Sequence, residues 1–255
     1  MVNDKYKIIL ASASPRRKEI MEKLGVDFEI KVSGCEEKTD ETEPGKVVVQ
    51  LATAKALDVA LKYAGIDNIV VGADTVVAHK GSIMGKPKDE EAAFDMIKSY
   101  ADDVHKVYTG VCVVIPYNDE EDKARITETL RKFNTDSKEF FGIENLNVIN
   151  YTLNKNEVSA ENDIKCDSDN TSHKSNNCIK YGVITVAYSV YTDVHVVSMS
   201  DDEIRRYATS GEPLDKAGAY AIQGGFAPYI SSIQGDYYNV VGLPACSLYA
   251  LLKEL

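Results

Sequence analysis

An α/β fold, with a mixed β-sheet flanked by helices and a low-complexity insertion between two strands, is what the sequence predicts. Three observations carry that expectation. Short apolar runs alternate along the chain with segments of helical periodicity, the pattern of helices packed on a largely parallel sheet. Two β-rich stretches, Val104–Ile115 and Val183–Val197, look like the arms of a hairpin, which makes the sheet mixed. Between them, residues 117–180 hold 11 of the 14 asparagines. Apolar surface there is too sparse to offset the entropy of ordering the chain.

The elements follow in order. Lys7–Ala11 is a short apolar strand, and Ser14-Pro15 starts a helix with serine as N-cap and proline at the first helical position. Ile20, Met21 and Leu24 give this helix its apolar face, and Gly25 ends it. Phe28–Val32 is a strand. Pro44 opens a longer helix in which Val47, Val48, Leu51, Ala54, Leu57 and Leu61 keep helical spacing. Ile69–Ala73 reads as a buried strand, followed by a second extended segment at Thr75–Ala78. Asp89–Tyr100 is helical with Ala93, Met96 and Ile97 inward, and Ser200 to Glu203 form a capping box for a helix reaching about Ala208. Pro244–Leu252 is helical. Residues 1–116 and 181–255 are therefore expected to form a single domain. Residues 117–180 are expected to be a flexible insertion, with a short helix near Glu120–Phe133 carried by Ala124, Leu130 and Phe133.

Charge and cysteine usage narrow the function classes. With 29 basic against 40 acidic residues the formal net charge is −11, which opposes nucleic-acid binding through the overall field but not a local anion site. Five scattered cysteines without a CxxC pair read as free thiols in a reducing compartment. No apolar run approaches the roughly 20 residues a membrane helix needs. A soluble cytoplasmic protein with no nucleic-acid or membrane partner is the expectation.

Several segments could carry chemistry. Ser12 and Ser14 precede a helix whose first turns hold Arg16, Arg17 and Lys18. Cations there oppose the helix dipole, so the arrangement favours an anion among them, phosphate above all, over a solvated basic turn. Asp74, expected at the end of an apolar strand, is placed to take a proton from water or to ligate a hard cation, although an Asx turn gives the same local pattern. Gly81–Pro87 has three residues between its glycines and proline after Lys86. It is therefore no phosphate-binding P-loop, though Lys86 can still meet a phosphate. Of Glu36 and Glu37, one at most can share a site with Asp74. Lys55 sits on an apolar helix flank, where it either snorkels or reaches an anion. Gln223 follows a run of small residues and offers the donor and acceptor that a base edge needs, although an exposed loop glutamine is the commoner case. Gly235–Pro244 reads as a hairpin turn before the last helix. Cys166, His173 and Cys178 match no zinc spacing.

Taken together, ILASASPRR, CEEK, LATAKA, VGADTVV, GKPKDEEAA, HKVYTGV, SDDEIRRY, SGEPLDKAGAYAIQGG and GDYYNVVGLP resemble the Maf family of nucleotide pyrophosphatases, in family order. The resemblance implies a Maf/ITPase-like fold. It also implies cleavage of a nucleoside triphosphate to the monophosphate and pyrophosphate, with a divalent cation such as Mg, Mn or Co. Asp74 would accept the proton from water. Ser12, Arg17, Lys55 and Lys86 would hold the triphosphate, and Glu37 with Asp74 would place the metal. Arg16, Thr75 and Gln223 are of the type found in the dTTP/UTP branch, with a 7-methyl-GTP-type enzyme and a non-catalytic regulator of cell division as alternatives. A homodimer is a further expectation from the family.

Overall fold

The apolar runs Ile8–Leu10 and Ile69–Val71 are buried throughout, as strands covered on both faces require. The computed structural model describes residues 6–63, 65, 67–154, 157–160 and 181–255. The strands are β1 (Lys7–Leu10), β2 (Phe28–Ile30), β3 (Asn68–His79), β4 (Ser82–Met84), β5 (Val104–Tyr117), β6 (Ile143–Asn154), β7 (Glu157–Ala160), β8 (Tyr181–Val196) and β9 (Ile230–Gln234). The helices are α1 (Pro15–Lys23), α2 (Pro44–Tyr63), α3 (Glu90–Tyr100), α4 (Glu120–Phe141), α5 (Asp201–Ala208), α6 (Tyr237–Val241) and α7 (Ala245–Glu254). One sheet results, in the order β2-β1-β3-β5-β8-β6-β7, with β4 added against β3 and β9 against β8. β1 runs parallel to β2 and β3, and the other pairings are antiparallel.

The two parallel crossovers move in opposite directions along the sheet. Right-handed connections therefore place their helices on opposite faces. Ile20 and Met21 of α1 share a core with Ile69, Val71 and Val113, whereas Ala52, Ala56 and Val59 of α2 pack on Val70, Cys112 and Val114. α4 and α7 complete the α1 face through Leu130 and Leu248. A further core lies at the far end of β3, β5 and β8, where Val77, Val107 and Val194 meet Ile97, Tyr100, Ile204 and Phe226. The same three strands thus serve all three clusters, and a cleft opens between the α1-face core and the core at their far end.

Two glycines decide how closely α2 approaches. A Cβ at Gly72 would lie 2.5 Å from the Ala52 carbonyl oxygen, and one at Gly110 would collide with that of Val48. With no side chain there, the helix backbone rests directly on the sheet.

The structure corrects several expectations. Ile69–Ala73 and Thr75–Ala78 are one continuous strand, so Asp74 lies in its middle rather than at its end, opposite Gly110 of β5. The helix expected near Glu120–Phe133 is present and longer, as α4, and residues 143–154 form β6 where a flexible segment was expected. α4 buries Ile126, Leu130 and Phe133 along one stripe, is capped by Asp119 through the Asp122 amide, and stops at left-handed Gly142. β6 then pairs with both β8 and β7. Apolar residues in this stretch are few, but helical spacing gathers them on one face, and average composition hides that. Residues 161–180, including Cys166, His173 and Cys178, lie outside the described residues. The supposed hairpin at Gly235–Pro244 is the short helix α6, ended by Gly242 at φ 128°. Leu130→Ala should lower the unfolding free energy in a urea titration by about 2–5 kcal/mol. A change within roughly 0.5 kcal/mol, as for a surface residue, would refute a core role for α4.

Candidate active site

β1 covers the edge of β3 only as far as Val71, whose carbonyl accepts from the Ala11 amide. β4 takes up that edge again at Val77. Between them Gly72–Val76 are paired on one side only, with β5. The uncovered stretch of edge forms the floor of a cavity of about 540 Å³, a size suited to a nucleotide.

Arg17 of α1 closes the gap in backbone pairing. Its Nη1 donates to the Ala73 carbonyl (2.8 Å) and to Ser12 Oγ (3.3 Å), Nη2 to Thr75 Oγ1 (3.0 Å) and Nε to the Gly242 carbonyl (2.7 Å). Four of the five guanidinium N–H groups are so used. Burial lowers the Arg17 pKa, against the opposing pull of Asp74. The Thr75 hydroxyl is shared further with Thr109 Oγ1 (3.0 Å). Thr109 donates to the Asn239 carbonyl (2.9 Å), and Asn239 Nδ2 donates to the Val107 carbonyl and Thr192 Oγ1. A buried polar chain thus ties α6 to β3, β5 and β8.

On the α2 face Lys55 Nζ lies 2.6 Å from Asp74 Oδ1 and 2.7 Å from Glu37 Oε1. Burial alone would lower the Lys55 pKa, but the Asp74 charge and the hydrogen bonds that Lys55 donates to both carboxylates raise it overall. Glu37 is held below the usual carboxylate range, first by its hydrogen bond to Lys55. Glu36 turns away to Lys38. Asp74 Oδ2 has no protein partner among the described residues. The rest of the Asp74 carboxylate is thereby left for a ligand or water.

Eight of the nine expected site residues line the cavity: Arg16, Arg17, Glu37, Lys55, Asp74, Thr75, Lys86 and Gln223. Ser12 does not. It is buried behind Arg17, spending its hydroxyl on that side chain and on the Ser14 amide, because the chain turns there from β1 into α1. Arg16 and Lys86 face the cavity without an ion-pair or hydrogen-bond partner among the described residues. Lys86 follows β4 on an arm whose turn at Lys80 and Gly81 has positive φ at both positions, the geometry of a two-residue hairpin and not of a phosphate loop.

The far wall contains residues that sequence reasoning passed over, Asp215, Lys216 and Tyr220. All three lie in the SGEPLDKAGAYAIQGG stretch, whose family resemblance was the signal that could have found them. Tyr220 Oη lies 2.7 Å from His105 Nε2, and burial pushes the His105 pKa down to about 3. No helix among the described residues is long and apolar enough to cross a membrane.

Residues 7–142 and 172–255 match the Maf-like protein family. The chain belongs to the Maf family. The match omits 143–171, so α4 lies within the family pattern, and β6 and β7 fall outside it. Among curated relatives, the dTTP/UTP pyrophosphatase of Lachnoclostridium phytofermentans is 35% identical, covering 98% of this chain and 95% of the relative. Those of Agathobacter rectalis and Alkaliphilus metalliredigens are each 36% identical, covering 97% of this chain and 97% and 95% of the relatives.

Neutral His105 gives this Maf protein a pH signature. Unfolding frees the imidazole to titrate near pH 6.5, so stability is whole above that and falls with pH down to about 3. The His105 contribution has a slope of up to about 1.4 kcal/mol per pH unit. Urea titrations between pH 7.5 and 5.5 should show a steeper loss for wild type than for His105→Gln. Equal slopes would contradict a buried neutral imidazole.

Proposed function

We propose that this Maf protein hydrolyses dTTP and UTP between the α and β phosphorus, giving the nucleoside monophosphate and pyrophosphate. The observation that carries the reading is Asp74 Oδ2, a carboxylate oxygen without a partner among the described residues, in a cavity that also holds Arg16 and Lys86, cations likewise unpaired among those residues. Five cations line that cavity against three carboxylates, in a chain whose net charge is −11. A polyanion is the ligand that such a local excess attracts. The name shared by the curated relatives supports a pyrimidine triphosphate as that ligand.

The roles follow from position. Arg16 and Lys86 neutralise the phosphate tail, and the remaining Arg17 N–H is available to it from a guanidinium that cannot swing away. Lys55 holds Asp74 by Oδ1, so that Oδ2 takes the proton as water cleaves the α–β anhydride. Phosphoryl transfer asks for little beyond such positioning and charge neutralisation. Gln223 lies on the base side.

A divalent metal fits this donor set. Glu37 and Asp74 converge on one cation already, the Lys55 ammonium. No group of three or more candidate ligands occurs among the described residues. Two carboxylates completed by substrate phosphates are what Mg²⁺ ordinarily accepts. When bound it would supply further charge neutralisation at the phosphates.

Purified protein with Mg²⁺ should release pyrophosphate from dTTP and UTP, and a chelator should abolish the release. Absence of pyrophosphate from both nucleotides with Mg²⁺, Mn²⁺ and Co²⁺ alike would overturn the reading. Asp74→Asn should lower kcat by at least about 100-fold while UTP still binds. Retained turnover in that variant would remove Asp74 from the chemistry.

A further inference from the structure

Two groups of different hydrogen-bonding character stand together on the far wall, and the phosphate chemistry employs neither. Lys216 lines the cavity with its side chain only 15% exposed. Its ammonium donates to the Glu212 carbonyl (3.2 Å) and to Asp215 Oδ1 (2.6 Å), leaving one N–H for a ligand. Gln223 lines the same wall.

Glu212 fixes the two relative to each other. Its main-chain oxygen holds Lys216. Its carboxylate accepts from the Gly225 amide (3.0 Å) and from Tyr207 Oη (2.7 Å), and Tyr207 Oη in turn accepts from the Ala221 amide. A Cβ at Gly224 would run into that carboxylate, so the chain after Gln223 lies tight against it.

Hydrogen-bond complementarity then discriminates between pyrimidines. Uracil and thymine present an acceptor at C4, a donor at N3 and an acceptor at C2. Cytosine presents an amino donor at C4 and acceptors at N3 and C2. A glutamine amide meets N3 of either base, because turning it over exchanges its donor and acceptor. An ammonium only donates.

Resting on the pyrimidine-triphosphate reading above, we infer that Lys216 is a specificity-determining residue. It faces the C4 substituent of the base and selects a carbonyl there over the amino group of cytosine, while Gln223 meets N3, where its amide accommodates either base. Asp215 holds the ammonium in place and balances its charge, so that the lysine acts as an oriented donor. A cytosine amino group brought to the same point sets donor against donor and leaves both unpaired, which is the costly outcome for partly buried polar groups.

Calorimetric binding of UMP and CMP tests this without requiring turnover. Wild type should prefer UMP by on the order of tenfold to a hundredfold. Lys216→Met should bring the ratio of the two affinities near unity, and Lys216→Arg should keep most of the preference. Thermal melting confirms that each variant is folded. A wild-type ratio near one, an unchanged ratio in Lys216→Met, equal weakening of both nucleotides, or binding of neither would each overturn the assignment. Pyrophosphate release from UTP by wild type, measured alongside, separates the two readings. Hydrolysis without the expected ratio sinks Lys216 alone, and the ratio without hydrolysis sinks the pyrophosphatase reading alone.

Discussion

The stretch of β3 that neither β1 nor β4 covers is the constraint on which the rest of the site depends. Backbone groups at a sheet edge inside a folded protein need partners, and here the Ala73 carbonyl finds one in Arg17. Because the same guanidinium also holds Gly242 and Thr75, a single side chain joins α1, β3 and the turn after α6. Asp74 is thereby presented on a rigid strand beside an open groove. A functional carboxylate on a regular element is held more firmly than one on a loop.

The electrostatics divide into two parts with different purposes. Lys55, Glu37 and Asp74 largely neutralise one another within 3 Å contacts, so that this triad orients more than it attracts. Attraction falls to Arg16 and Lys86, which have no partners of their own among the described residues. Screening over about 10 Å isolates them from the acidic remainder of the molecule. That is how a chain of this charge can still present a surface for polyanions.

Much of this was legible in the sequence, and the failures have physical causes. The cationic start of α1 stood out because it violates the dipole preference, and Lys55 because it interrupts an apolar flank. The structure resolves both by bringing anionic or carbonyl partners to Arg17 and Lys55 while leaving Arg16 open. That only one of Glu36 and Glu37 shares the site followed from alternation, and the family resemblance pointed to Glu37. Asp74 was misplaced at a strand end because a carboxylate interrupts the apolar run there, whereas the strand continues through it and Gly72 makes room for α2. The helix α4 was underrated because Ile126, Leu130 and Phe133 form a stripe among charged residues. Asn239 escaped because it is a buried polar side chain whose partners are backbone atoms or side chains distant in sequence, which local pattern cannot show. Ser12 was expected to hold phosphate, whereas its hydroxyl oxygen accepts from the Ser14 amide and from Arg17. Lys216 was overlooked because its anchor, the Glu212 main-chain oxygen, is a backbone atom that no side-chain pattern announces.

β3, β5 and β8 pass without a break from one core into the other, and antiparallel ladders tie them together along most of their lengths. Moving the walls of the cleft apart would mean bending three coupled strands at once, so no hinge is available at that place. The jaws are preset. Substrate enters an aperture whose width was determined when the chain folded, and tight binding depends on side chains already in position, with little ordering entropy left to spend.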